Sequence, residues 1–281
     1  MQTEKPSLKP YGEYSVSAGS FGTLKHTVKG GTGLLYDHFA FDARYSNIRS
    51  DGFIDRASAR MSSYYGSAAF YADNTLIKFQ AFGNSEKTYQ AWNGVPSYLL
   101  DTDRSYNPCG EYEEDGVKKF YNNQTDNYWQ HNYHLMASQR IGDFWNMNLT
   151  LHYTDGNGYY EDYKSKAKFS SYKLPEYIDP EGNAVKKTDL VRRKWLDNYF
   201  YGAVYSANYN TRLTLGTAVN NYVGDHFGRV MWTKSANVLP QPDYEYYRNT
   251  GKKLDYNVYA KLTQRLSPLF TGYLDLQYRG I

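Results

Sequence analysis

Apolar and polar residues alternate along most of this chain with a period of two. In WNMNLTLHYT, Trp145, Met147, Leu149, Leu151 and Tyr153 fall on one face, and Asn146, Asn148, Thr150, His152 and Thr154 on the other. The same rhythm sets Phe39, Phe41, Ala43 and Tyr45 against His38, Asp42, Arg44 and Ser46. It sets Ile77, Phe79 and Ala81 against Lys78 and Gln80, and Tyr256, Val258, Ala260 and Leu262 against Asn257, Lys261 and Thr263. Near the end, Phe270, Leu274, Leu276 and Tyr278 oppose Thr271, Asp275, Gln277 and Arg279. Successive side chains of a β-strand point to opposite faces, so this is the pattern of strands with one face in an apolar medium. No helical period competes with it. The alternation predicts about eleven strands, near 10–18, 22–32, 36–46, 59–72, 75–86, 127–141, 144–157, 196–209, 211–224, 254–267 and 269–281.

Several of these strands are about ten to fourteen residues long, whereas strands of globular proteins run to about five or six. A strand of about ten residues at ~3.3 Å rise, tilted by ~45°, spans roughly 24 Å, the height of the apolar band of an outer-membrane barrel. The connections support the same reading. Short links lie at 31–37, 71–74, 140–144, 208–211 and 266–269; long ones are expected at about 87–127, 155–196 and 224–253. Long structureless loops are uncommon in compact soluble domains. Short turns at one end and long loops at the other are usual in an outer-membrane barrel. The fold class expected is therefore all-β, a transmembrane antiparallel up-and-down β-barrel.

Composition sharpens the picture at two points. Tyrosine supplies 32 of the 281 residues. Tyr64, Tyr65, Tyr71, Tyr128, Tyr133, Tyr153, Tyr159, Tyr199, Tyr201, Tyr205, Tyr209 and Tyr278 gather near predicted strand ends, where aromatic girdles mark membrane interfaces. The formal net charge of +3 is too small for a nucleic-acid binder driven by bulk charge. Mean hydropathy is −0.76 and no apolar run reaches the length of a membrane helix. Membrane strands alternate and average out, so hydropathy does not test for them. The opening MQTEKPSLKPYGEY has no apolar core and does not read as a signal peptide, so any export signal is expected elsewhere. The single cysteine, Cys109 in NPCGEYEEDG, reads as a lone thiol on an exposed loop.

Residues that could carry bond chemistry are sparse. The chain has no G-x-S-x-G, P-loop or H-E-x-x-H motif, so no enzyme, catalytic residue or cofactor is expected. His131 and His134 are three apart and fall on opposite faces of a strand, where they cannot share a metal. TDGNGYYED lacks the spacing of a calcium loop and reads as a glycine turn at Asp155–Gly158 that opens a loop. Glu113 and Glu114 read as part of a solvated loop. The glycosylation patterns at Asn123 and Asn148 are discounted, the second because it lies inside a strand.

Several stretches, in order, resemble the β-barrel of TonB-dependent outer-membrane receptors, particularly those of Bacteroides-type bacteria. YGEYSVSAGSFGTLKHTVKGGTG resembles the first barrel hairpin after the plug domain. RYSNIRSDGFIDRASARMSSYYGSAAFYADNTLIKFQAFG resembles the next strands, KTYQAWNGVP the start of a ligand-side loop, and LTLHYTDGNGYYEDYK a strand running into its loop. The opening QTEKP is similar to the end of the plug's last strand. The resemblance implies that residues 1–9 are a plug remnant and that residues 10–281 supply about eleven strands of a barrel of 22, a fragment without signal peptide or plug. It implies an outer-membrane location, with membrane lipid and an iron chelate as partners and no nucleic acid. The TonB–ExbB–ExbD complex would act through the missing plug. The implied function is energy-coupled import of a scarce nutrient, foremost a ferric siderophore. Cobalamin or haem are alternative cargoes, glycans rank last, and a passive porin-like barrel or a soluble β-rich binding module are the readings outside the family. Rigid aromatics and arginines are the usual anchors of such recognition. Tyr89, Trp92 and Asn93 are the leading candidates, followed by Arg49, Trp129 and Tyr159.

Overall fold

The computed structural model describes residues 6–235 and 239–281, so most of the segment read as a plug remnant lies outside the described residues. Eleven strands form one antiparallel sheet, each paired with the strands before and after it in that sheet. They are β1 (Pro10–Gly19), β2 (Thr23–Leu35), β3 (Phe39–Ser50), β4 (Ala59–Ala72), β5 (Thr75–Tyr89), β8 (Thr125–Ile141), β9 (Trp145–Lys168), β12 (Lys187–Tyr209), β13 (Leu213–Thr233), β14 (Tyr244–Arg265) and β15 (Thr271–Gly280). Two small hairpins decorate it: β6 (Glu111–Glu114) with β7 (Val117–Phe120), and β10 (Tyr177–Ile178) with β11 (Ala184–Val185). The up-and-down order is the one expected. The sheet is open, with β1 and β15 at its edges.

The two faces are chemically distinct, and the pairing register shows how. Across β3, β4 and β5 the rows of one face run upward as Phe39–Phe70–Ile77, Phe41–Ala68–Phe79, Ala43–Gly66–Ala81, Tyr45–Tyr64–Gly83, Asn47–Ser62–Ser85 and Arg49–Arg60–Lys87. Apolar rows give way to tyrosine, then to small polar groups, then to cations. On β8, β9 and β12 the same face carries Leu135–Leu151–Ala203, then Tyr133–Tyr153–Tyr201, then His131–Asp155–Tyr199. This is the convex face. The opposite, concave face is polar, with Lys78 and Gln80 buried among the strands and Gln80 hydrogen-bonded to His134 at 3.0 Å. His131 instead meets Tyr64 on the convex face, so the two histidines stand apart as the alternation requires.

Four expectations from sequence need correction. The segments 155–196 and 224–253, read as long loops, are largely strand. β9, β12, β13 and β14 run for 21 to 24 residues, and the intervening connections shrink to 169–186 and 234–243. At ~3.3 Å rise and ~45° tilt such strands reach about 50–55 Å, twice the apolar band, so the sheet continues well above it as paired ladder. Secondly, Asp155–Gly158 is not a turn but strand. Gly158 pairs directly with Tyr128, and a side chain at Gly158 would run into the Tyr128 ring at 2.6 Å. The glycines stand there to seat the tyrosine. Thirdly, Tyr65, Tyr71 and Tyr128 face the concave side and do not belong to the convex girdle. Finally, Cys109 is buried at 5% exposure, not exposed. Its N–H is taken by Asn107 and its carbonyl by the Tyr89 hydroxyl, which draw NPCG under the loop. Glu114 is solvent-accessible as expected and is also bound by Lys119 at 2.8 Å and Lys234 at 3.2 Å, tying the β6–β7 hairpin to the end of β13.

Candidate functional site

The upper halves of the strands form a wall above the tyrosine rows, and its concave side holds an open cleft of about 450 Å³. The side chains that share its concave face are Glu86, Asp126, Tyr128, Tyr160, Lys194, Leu196, His226 and Tyr247, and Asn127, Gly158, Tyr159 and Trp195 complete the lining. The former share a face because each strand simply continues its alternation past the membrane band. The Lys194 ammonium stands 5.9 Å from the Tyr160 ring, a cation–π contact at the mouth. Burial raises the Asp126 carboxyl above the usual range, against a smaller opposing effect of the Asn127 N–H. Burial also raises Glu86, and the nearby charge of Asp126 adds to it. The cleft therefore holds two carboxyls that give up their protons reluctantly beside one ammonium and an imidazole.

Two connections frame this cleft. After β9, the segment Phe169–Tyr172 folds back over the concave face. There Phe169, Tyr172 and Leu174 pack with Leu190, Val230 and Tyr246, all less than 10% exposed. The left-handed Lys173 (φ 52°) turns the chain there. Beneath it Arg192 grips Asp162 through two hydrogen bonds of 2.7 and 3.1 Å and reaches the Tyr172 hydroxyl at 3.1 Å. This small core gives the mouth a rigid side. The other frame is the 90–124 connection. Asn107, 1% exposed, donates to the carbonyls of Asp55 and Gln90 at 2.9 Å each. Gln90 in turn donates to the Glu161 carbonyl at 2.9 Å. The Glu161 carboxylate accepts from Tyr121 at 2.5 Å, Asn123 at 2.6 Å and Arg193 at 2.6 Å. Burial, with that carboxylate beside it, pushes the Tyr121 phenol up.

The candidate residues separate on this frame. Trp92, 57% exposed, sets its ring edge-on to Tyr160 at 5.4 Å and so borders the cleft. Asn93 is exposed on the same turn, ahead of Gly94 (φ 67°). Tyr89 is buried and holds the base of the connection, donating to the carbonyls of Cys109 at 3.2 Å and Tyr121 at 2.9 Å. Beside it Arg56 lies 3.7 Å over Phe120. Arg49 is at the top of β3 on the convex face. Trp129 and Tyr159 are convex too, within a ladder of rings that continues through Trp195 to Phe227. Arg193 lies 4.4 Å over Tyr159, and Arg248 4.0 Å over Phe227. The structure thus sets Trp92 against Tyr160 of the cleft lining with Asn93 exposed beside it, includes Tyr159 in the lining although its ring stacks along the convex ladder, and leaves Arg49 and Trp129 outside the cleft. Sequence reasoning missed Tyr160, Lys194 and Tyr247. Extending the alternation past Gly158 would have placed Tyr160 on the same face as His152. Among the described residues no group of three or more His, Cys, Asp or Glu is placed to hold a metal ion.

No family model matches the sequence, and no curated protein is similar enough to count as a relative. Solved structures do match. The complex of FpvAI with pyocin S2 is similar with a TM-score of 0.69 at 12% identity, covering 98% of this chain and 38% of that one. The ferripyoverdine receptor of the outer membrane of Pseudomonas aeruginosa, bound to ferripyoverdine, is similar with a TM-score of 0.65 at 11% identity, covering 98% and 38%. The pyoverdine outer-membrane receptor FpvA from Pseudomonas aeruginosa PAO1, bound to pyoverdine, gives 0.63 at 13% identity, covering 98% and 41%. The chain spans about two fifths of the length of these structures. At such identities the likeness is one of fold: these eleven strands have the architecture of part of an outer-membrane receptor barrel.

Proposed function

We propose that this chain supplies part of the wall of an outer-membrane, TonB-dependent receptor that captures a ferric siderophore at its outer mouth. The observation that carries the reading is the change on the convex face. Side chains are apolar up to a tyrosine row, and above it polar and charged groups enter among further aromatic rings, while the same strands stay paired. A barrel wall with that zoning presents its lower half to lipid and its upper half to the outside medium. The concave cleft then lies above the lipid, where a ligand arriving from outside would meet it. Trp92 and Tyr160 offer ring faces, and Asn93 and Lys194 offer hydrogen-bond donors; Tyr89 positions their connection and does not contact the ligand. The likeness in fold to a receptor solved with ferripyoverdine bound supports an iron chelate as the ligand class. Passage inward would be driven through a plug by the TonB–ExbB–ExbD complex. Other strands would close the wall, since unpaired edge groups cannot be left in lipid.

The test is titration of the folded chain in detergent with ferripyoverdine, read as quenching of tryptophan fluorescence. Saturable quenching is expected, and Lys194→Ala should weaken it about tenfold, the size of a good interface contact. Quenching that rises linearly without saturation, and is the same in Lys194→Ala, would contradict the reading.

A further inference from the structure

The convex face carries cations of two kinds. The three arginines on β12, β13 and β14 are neutralised: Arg193 by Glu161, Arg229 by Glu245, Arg248 by Asp225 and Glu245, while Lys252 on β14 stands singly at the tyrosine level. The cations on β3, β4 and β5 are not neutralised. Arg49 stands directly across from Arg60, and Arg60 directly across from Lys87. All three are exposed. Among the described residues neither arginine makes an ion pair, and Lys87 meets only the neutral Asn123 carbonyl oxygen, at 3.1 Å. Of the acids nearest in sequence, Glu86 lines the cleft on the opposite face and Asp51 is turned against Gly22. Like charges placed opposite each other weaken an antiparallel pair, so three in a row invite an anion.

Height identifies the anion. The row lies two pairs above Tyr45–Tyr64 on the same face. Four residues at ~3.3 Å and ~45° tilt amount to roughly 9 Å of height. Convex tyrosines mark the headgroup level, so the cations stand at or just above the lipid phosphates. Neighbouring strands are ~4.8 Å apart, so the three charges span about 10 Å. One zwitterionic headgroup would leave most of that charge unmet; a headgroup with several phosphates would not.

We propose that Arg49, Arg60 and Lys87 form a binding site for the phosphates of a multiply phosphorylated glycolipid of the outer leaflet. The site is separate from the chelate cleft and rests only on the membrane part of the reading above. The test uses the full chain in neutral phosphatidylcholine vesicles with and without lipid A, and with inorganic phosphate in place of lipid A. The readouts are lipid A retained per chain after washing, and the melting temperature. The parent chain should retain lipid A and melt higher with it, with no such effect from inorganic phosphate. The triple variant Arg49→Gln, Arg60→Gln, Lys87→Gln should lose retention about tenfold or more, as expected when phosphate contacts are removed. In neutral vesicles without lipid A it should melt no lower than the parent, because a repulsion has been removed. Equal retention by parent and variant overturns the site. So does an equal effect from inorganic phosphate. A lower melting temperature in neutral vesicles assigns the row a structural role and also overturns it. A chain that does not insert at all overturns the membrane reading together with this inference, whereas a chelate titration that fails in an inserted chain leaves it standing.

Discussion

Tyrosine and glycine account for each other in this sheet. Tyr64 is paired directly with Gly83, Tyr128 with Gly158, Tyr259 with Gly216 and Tyr247 with Gly228, and in each pair the ring occupies the space a side chain on the glycine would need. A glycine inside a strand is weak by itself, and a ring laid over its bare backbone recovers apolar contact there. Gly158→Ala should therefore destabilise the folded chain by about 1–3 kcal/mol through overpacking, read as a lower melting temperature in detergent. Tyr128→Ala in the same chain should recover part of that loss, because the two residues share one space. Nothing in the spacing of TDGNGYYED announces this. The partner lies some thirty residues away, so the sequence reads as a turn where the structure has a ladder. At the cleft the raised carboxyls of Glu86 and Asp126 give a pH signature. Both are protonated up to a higher pH than ordinary carboxyls. Repulsion of an anionic chelate sets in as pH rises through their raised values, so binding should weaken over that window. Glu86→Gln with Asp126→Asn should flatten the profile. A profile unchanged by the two substitutions would remove these carboxyls from the site.

The elements divide into what alternation reveals and what it hides. The lower parts of β3, β5, β9 and β14 alternate strictly between apolar and polar, because one face meets lipid and the other a wet interior. Above the tyrosine rows both faces meet water, so the contrast vanishes and β12, for example, begins KTDLVRRKW with no visible period. That is why loops were expected over residues that form strand. The folding of 169–174 onto the concave face was equally hidden, since its partners Leu190, Val230 and Tyr246 come from three strands. The 90–124 connection depends on one buried acid. Glu161, 3% exposed, receives Tyr121, Asn123 and Arg193 together. Removing one member of a buried charged pair strands the other, at about 2–4 kcal/mol where, as with Arg193, some water reaches the partner. Glu161→Ala should release 121–123 and make the 90–124 connection cleavable by trypsin under conditions where the parent resists. Equal resistance would mean that the Asn107 hydrogen bonds hold the connection by themselves.

At the scale of the whole molecule, the account rests on a wall zoned by height. Leu149 sits on the convex face within the apolar rows, and Thr150 beside it faces the concave side. In a closed barrel Leu149→Arg should cost roughly 2–4 kcal/mol near the bilayer midplane, and Thr150→Arg much less. The tyrosine row Tyr133–Tyr153–Tyr201 marks where lipid ends, and Asp155, Asp197 and Asp225 on the same face lie above it. The most direct test places spin labels singly at Leu149, Thr150 and Asp197 in the membrane-inserted chain, with Cys109→Ser as background, and measures collision with oxygen and with a water-soluble nickel chelate. The account predicts that a label at 149 meets oxygen and is shielded from nickel, while labels at 150 and 197 meet nickel. Equal nickel exposure at 149 and 197 would contradict it.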